Sequence, residues 1–189
     1  MAADQAVHAQ PSPVNVPNAL SAGRILLVPV LVLVLIAEPR GSLVAAALFA
    51  LASLTDILDG HLARSRKLVT DLGKVLDPLA DKLMVVSVLV SLAMLDRVAA
   101  WVVAVILGRE VAVSVLRSRA SREGRDVAAR PLGKVKMGLQ VAMVLVLLAA
   151  PDPTAEPVLV LVAATVFVTI LSGLDCAAHM MRRTAPTPA

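Results

Sequence analysis

Long runs of Leu, Val and Ala, separated by short polar connections, make up most of the chain. A membrane-spanning helix needs about 20 mostly apolar residues. Six stretches reach or approach that length: 18–37, 42–58, 75–95, 98–116, 132–150 and 157–180. None alternates apolar and polar residues with period two, so a barrel is not indicated. In lipid, each run must then satisfy its own backbone groups as a helix. The pattern predicts an all-α, polytopic membrane protein with six transmembrane helices, in which residues 18–181 form one bundle. Residues 1–17 are polar, hold three prolines and lack the basic start of a signal peptide, which predicts a disordered lead-in. Residues 182–189 read as a disordered tail. The segment 18–24 has the character of an amphipathic helix on the membrane surface. No internal repeat is visible, which weighs against the repeated halves common in transporters.

Composition agrees with that class. Of 189 residues, 58% are hydrophobic and 17% charged, and the mean hydropathy is +0.84. Soluble domains average about 45–50% apolar and about 25% charged. The charge is informative mainly through its placement. Arg64, Arg66, Lys67 and Lys74 lie between the second and third runs, and seven Lys and Arg residues from Arg117 to Lys136 crowd the connection before the fifth. Arg24 stands near the start, and Arg182 and Arg183 follow the last run, whereas the opposite connections carry only Arg40 and Arg97. By the positive-inside rule, both termini and the basic connections face the cytoplasm. The net charge of +4 then reflects topology and an anionic leaflet. With 2% aromatics and no Tyr, nothing supports a nucleic-acid partner. The lone Cys176 reads as a small core residue.

Against this background, Asp56, Asp59, Asp77 and Asp81 stand out. Asp56, Asp59, Gly60 and Ala63 fall on one helix face, and Asp77 and Asp81 are one turn apart on the next helix. An antiparallel pair would gather the four carboxylates near the cytoplasmic membrane face. Each Asp at a helix centre costs about 2.5–3.5 kcal/mol, and neighbouring carboxylates repel. Bound divalent metal offsets both, and hard oxygen ligands suit Mg²⁺ or Mn²⁺. Two metals held by shared carboxylates are a recurrent device for displacement at phosphorus. A lone Asp near a helix end has a simpler reading as a cap, which is how Asp71 is read.

The run Asp56-x-x-Asp59-Gly60-x-x-Ala63-Arg64, eight residues, Gly73-x-x-x-Asp77-x-x-x-Asp81 resembles the complete signature of the CDP-alcohol phosphotransferases. The resemblance covers most of the chain. It implies that family's six-span fold, cytoplasmic termini and a homodimer. It also implies two metal ions, Mg²⁺ or Mn²⁺, held by Asp56, Asp59, Asp77 and Asp81, with Asp81 as general base. Asp56, Gly60, Ala63 and Arg64 would line the nucleotide site, Arg64 on the diphosphate. Gly60 and Gly73 have a packing role as well, since small residues let membrane helices approach closely.

Three further stretches are similar to the phosphatidylglycerophosphate synthase branch of that family. They are NVPNALSAGRI (15–25), LGREV with Arg109 and Glu110, and GKVKMGLQ (133–140). Ser21 and Met137 replace the usual Thr in the first and third. The likeness implies CDP-diacylglycerol as donor and glycerol 3-phosphate as acceptor, the latter held by Arg109, Arg117, Lys134 and Lys136. Each of these cations, taken singly, also fits positive-inside anchoring. Arg109 is the exception: it lies inside an apolar run, where a charge needs a partner, either Glu110 or the acceptor phosphate. Because Met137 loses a hydroxyl, two sister activities stay open: cardiolipin synthesis from phosphatidylglycerol, and inositol-phosphate transfer. A divalent-cation transporter is the reading from another class, but no continuous polar route crosses the other spans.

Overall fold

The computed structural model describes the backbone of residues 16–65, 71–122 and 131–182 and the side chains of 22–55, 79–122 and 131–180. The described residues form six helices: α1 (Val16–Ala37), α2 (Leu43–Ser65), α3 (Asp71–Met94), α4 (Ala100–Arg122), α5 (Pro131–Ala149) and α6 (Glu156–Arg182). Each coincides with one of the six apolar runs. The helices extend past the apolar runs mainly where basic and acidic residues follow, as α2 and α4 do. Hydropathy stops at the edge of an apolar layer, whereas backbone hydrogen bonding continues. The expected lead-in and tail lie almost wholly outside the described residues, although α1 begins at Val16, two positions before the expected start.

The most extensive packing is α1 on α3; α6 packs on both α4 and α5, and α2 on α1 and α5. Buried residues recur at helical spacing: Leu31 and Leu35 on α1, Met84 and Val88 on α3, Val144 and Leu148 on α5. These stripes form the shared core. Large apolar side chains are also turned outward, among them Leu26, Leu33, Val111, Phe167 and Leu174. Two helices, Pro131–Ala149 and Glu156–Met180, are long and apolar enough by themselves to cross a membrane, and 22–37 and 43–55 are shorter apolar helices. α2 and α3 were expected to pack as a pair. The side chains at which that pairing was expected, 56–65 and 71–78, lie outside the described residues; of the described ones, both helices contribute to the lining of a cavity.

Tight local devices close the connections at one end of the bundle. After α3, Asp96 takes a left-handed conformation with φ 55°. The Arg97 N–H then donates to the Leu92 carbonyl at 2.9 Å and the Asp96 N–H to Ala93 at 3.1 Å, the paired bonds of a Schellman stop. Ser42 caps α2, its Oγ accepting the Ala45 N–H at 3.0 Å. The Ser42 N–H donates to the Leu148 carbonyl at 2.7 Å, tying the α1–α2 turn to the end of α5. Gly41 permits that approach: its φ is 123°, and a Cβ there would lie 2.8 Å from the Ala150 carbonyl oxygen.

Arg97, read from sequence only as one of two cations on the sparse side, is 5% exposed. Its guanidinium donates to the Leu147 carbonyl through Nε at 3.0 Å and Nη2 at 2.8 Å, to Pro39 at 3.0 Å, and to Ala150. It thereby satisfies carbonyls left over at the C-terminus of α5, where a cation is also favoured by the helix dipole. Burial lowers its pKa from the ordinary arginine value. Arg24, counted as a topological cation, is likewise buried within α1. Cys176 is buried, as expected.

Candidate active site

A cavity of about 650 Å³ opens between α2, α3, α4 and α5. Its floor and walls are mostly apolar, with Phe49, Val85, Val141 and Val144 among them. α3 contributes Asp81. α4 contributes Arg109, Glu110 and Arg117, and α5 contributes Lys134, Lys136 and Gln140. Helical spacing explains the set. Arg109 and Arg117 are two turns apart on α4, while Lys136 and Gln140 are one turn apart on α5. On α3, Ala80, Met84 and Val88 are buried, so Asp81 sits at the edge of the core stripe and is half-buried at the cavity.

Thus Asp81 and the four basic residues expected at the acceptor site, which come from three helices and 56 positions of chain (81 to 136), line one cavity. They differ in accessibility. Arg117 and Lys134 are exposed, whereas Lys136 is 6% exposed. A buried ammonium needs a partner, and Lys136 Nζ donates to Glu110 Oε1. Arg109 Nη1 approaches the same oxygen at 3.4 Å. Of the two partners expected for Arg109, Glu110 is therefore present within the chain. The Asp81 carboxylate is close enough to attract Lys136 electrostatically.

The side chains of Asp56, Asp59, Gly60, Ala63, Arg64 and Asp77 lie outside the described residues, although their backbone positions fall on α2 and α3. Phe49 and Ser53 of α2 line the cavity. Continuing that helix by spacings of three and four reaches positions 56, 60 and 63. Asp77 stands one turn before Asp81 on α3. Among the described residues no group of three or more metal-ligating side chains forms, since three of the four aspartates are not in that set.

Sequence reasoning missed three contributors. Lys82, next to Asp81, donates to Ser114 Oγ at 2.9 Å and ties α3 to α4 at the cavity. Ser172 on α6 accepts from Arg109 Nη2 at 2.6 Å. Gln140, quoted only within a motif, is buried at the cavity, and its Oε1 has no partner among the described residues. Polar residues on otherwise apolar helices were the available signal for Ser114 and Ser172, but a hydroxyl is too common in such helices to mark a site unaided.

Comparison with known proteins bears on the family. The CDP-alcohol phosphatidyltransferase family model matches residues 14–171. A Bacillus subtilis protein named CDP-diacylglycerol–glycerol-3-phosphate 3-phosphatidyltransferase is 42% identical over 147 residues, 71% of this chain and 76% of that one. A Mycobacterium tuberculosis protein named probable phosphatidylglycerophosphate synthase is 37% identical over 173 residues, 89% of this chain and 82% of its own length. An Arabidopsis thaliana protein bearing the first name with the suffix 2 is 36% identical over 161 residues, 77% of this chain and 69% of that one. With the signature, the six helices and these relatives in agreement, the chain belongs to the CDP-alcohol phosphatidyltransferase family.

Proposed function

We propose that this protein transfers the phosphatidyl group of CDP-diacylglycerol to glycerol 3-phosphate, giving phosphatidylglycerol phosphate and CMP. The observation that carries the reading is one cavity holding both a carboxylate, Asp81, and the basic set Arg109, Arg117, Lys134 and Lys136. A phosphate-bearing alcohol needs cations for its anionic end and a base for its hydroxyl end. The names of the relatives point to the same pair of substrates.

In this mechanism Asp81 takes the proton from the acceptor hydroxyl, whose oxygen attacks the phosphatidyl phosphorus as CMP leaves. The basic residues hold the acceptor phosphate by charge-assisted hydrogen bonds. Asp56, Asp59, Asp77 and Asp81 would hold two Mg²⁺ or Mn²⁺ ions, whose chemistry there is to neutralise the CDP diphosphate and polarise the phosphorus. The donor set fits, since carboxylates are the hard oxygen ligands these ions prefer. Gly60 and Ala63 leave room for the cytidine nucleotide beside α2, with Arg64 on the diphosphate. All six helices span the cell membrane with both termini and the site on the cytoplasmic side, and the chain works as a homodimer. The outward-facing apolar side chains support membrane burial of the bundle. A cation transporter fits poorly, because the apolar runs supply no continuous polar route across the membrane.

CMP release by protein purified in detergent, with CDP-diacylglycerol, Mg²⁺ and one acceptor at a time, tests the proposal. Release with glycerol 3-phosphate alone is the expected result. Release only with phosphatidylglycerol or an inositol phosphate moves the chain to a sister activity, and release with none overturns the enzymatic reading.

A further inference from the structure

Two of the four cations expected at the acceptor site are already engaged by the protein. Lys136 donates to Glu110 Oε1, and Arg109 Nη1 stands 3.4 Å from the same oxygen. From behind, Arg109 Nη2 donates to Ser172 Oγ at 2.6 Å, and Ser172 is 4% exposed. Gly173, the next residue of α6, faces the stem of the same arginine: a Cβ there would lie 3.2 Å from Arg109 Cγ. Arg117 and Lys134 contrast with this pair, being exposed and without a partner among the described residues. None of the residues lining the cavity comes from α6, among those described. Arg109 is the cavity cation that α6 holds directly, through Ser172.

We propose that Glu110 and Ser172 are positioning residues that hold Lys136 and Arg109 as a fixed, partly neutralised pair on the buried side of the acceptor site. Arg109 and Lys136 repel each other, and a shared carboxylate offsets that repulsion while restricting two long, flexible side chains. Ordering them before the acceptor arrives removes an entropic cost from binding. α6 thus sets the affinity for the anionic alcohol without touching it, and the absent side chain at Gly173 leaves room for the arginine stem. The inference deepens the acceptor reading above and rests on it.

The sign of one substitution discriminates. If Glu110 acted only as a negative charge beside the acceptor phosphate, Glu110→Gln would tighten glycerol 3-phosphate binding. As a positioning residue it does the reverse. The test uses the full chain in detergent, with calorimetric Kd for glycerol 3-phosphate and separate KM values for acceptor and donor. Glu110→Gln and Ser172→Ala are each expected to weaken acceptor binding about tenfold, the scale of one lost hydrogen bond to a charged group. The KM for CDP-diacylglycerol stays at its wild-type value, and Ser172→Thr, which keeps the hydroxyl, recovers most of the acceptor affinity. Gly173→Ala removes no polar group and weakens acceptor binding in the same direction, so it carries the inference if Ser172→Ala fails to fold. Tighter or unchanged acceptor binding in Glu110→Gln overturns the proposal. So does a parallel change of both KM values in Ser172→Ala, or a wild-type protein that binds no glycerol 3-phosphate. Wild-type protein that binds the acceptor yet releases no CMP overturns the activity alone, and the Kd series still judges the positioning role.

Discussion

In the proposed mechanism Asp81 is the residue on which the chemistry turns. It is half-buried at the edge of the α3 core stripe and faces a cavity otherwise rich in cations. Asp81→Asn keeps the shape and removes the base, so CMP release should fall by about 10²–10⁴-fold, the usual range for a general base; initial rates under saturating substrates measure it. A rate within a few-fold of wild type removes Asp81 from that role. Arg117 and Lys134 belong to a different class of prediction. Both are exposed cations at the cavity, so Arg117→Ala and Lys134→Ala should each raise the glycerol 3-phosphate KM about tenfold by removing a charge-assisted bond to phosphate. If either variant shifts the donor KM instead, that residue contacts the nucleotide lipid. These residues were legible in the sequence because charge inside or beside an apolar run is costly and therefore conspicuous. Ser172 was not, because a serine in such a run carries no comparable cost.

At the scale of elements, the end of the bundle carrying Arg97 is a junction of three connections. One guanidinium holds carbonyls from the α1–α2 turn and the end of α5, and Ser42 adds a backbone tie to Leu148. Arg97→Ala leaves those carbonyls without their donor and should lower stability by about 3 kcal/mol, within the range for bonds to a charged group. Arg97→Lys should recover only part, since an ammonium cannot reproduce the planar fork. Gly41→Ala meets both a positive φ and a backbone oxygen at 2.8 Å, so it should cost about 1–3 kcal/mol. Thermal unfolding in detergent measures all three, and a midpoint unchanged in Gly41→Ala would show that the turn can rearrange. Apolar periodicity and length announced the helices themselves. Arg97's role was hidden, because its partners are main-chain carbonyls distant in sequence, and sequence gives no sign of which carbonyls a fold leaves over.

For the whole molecule, the proposal joins a lipid-borne donor to a water-borne acceptor at the membrane face. Chelation with EDTA should abolish CMP release and added Mg²⁺ or Mn²⁺ should restore it, as a metal-dependent displacement requires; full activity in excess chelator would remove the metals from the mechanism. Reporter tags on the two termini should both remain inaccessible from outside intact cells, and the protein should resist alkaline carbonate extraction from membranes. Opposite accessibility of the two tags would require an odd number of spans.

The sequence by itself determined the helix count and approximate bounds, because burial in an apolar surrounding demands long apolar runs wherever they occur. It also determined the aspartate signature and the family, because spacing of three and four residues encodes a helix face without any knowledge of neighbours. Only the tertiary structure decided how the helices are arranged. α2, α3, α4 and α5 line a common cavity, and Glu110 binds two cations from two helices. It alone brought α6 behind Arg109 through Ser172 and Gly173. The physical reason is common to each case: helical periodicity is a local property of the chain, whereas the partner of a buried charge is fixed by which helices meet and at what height.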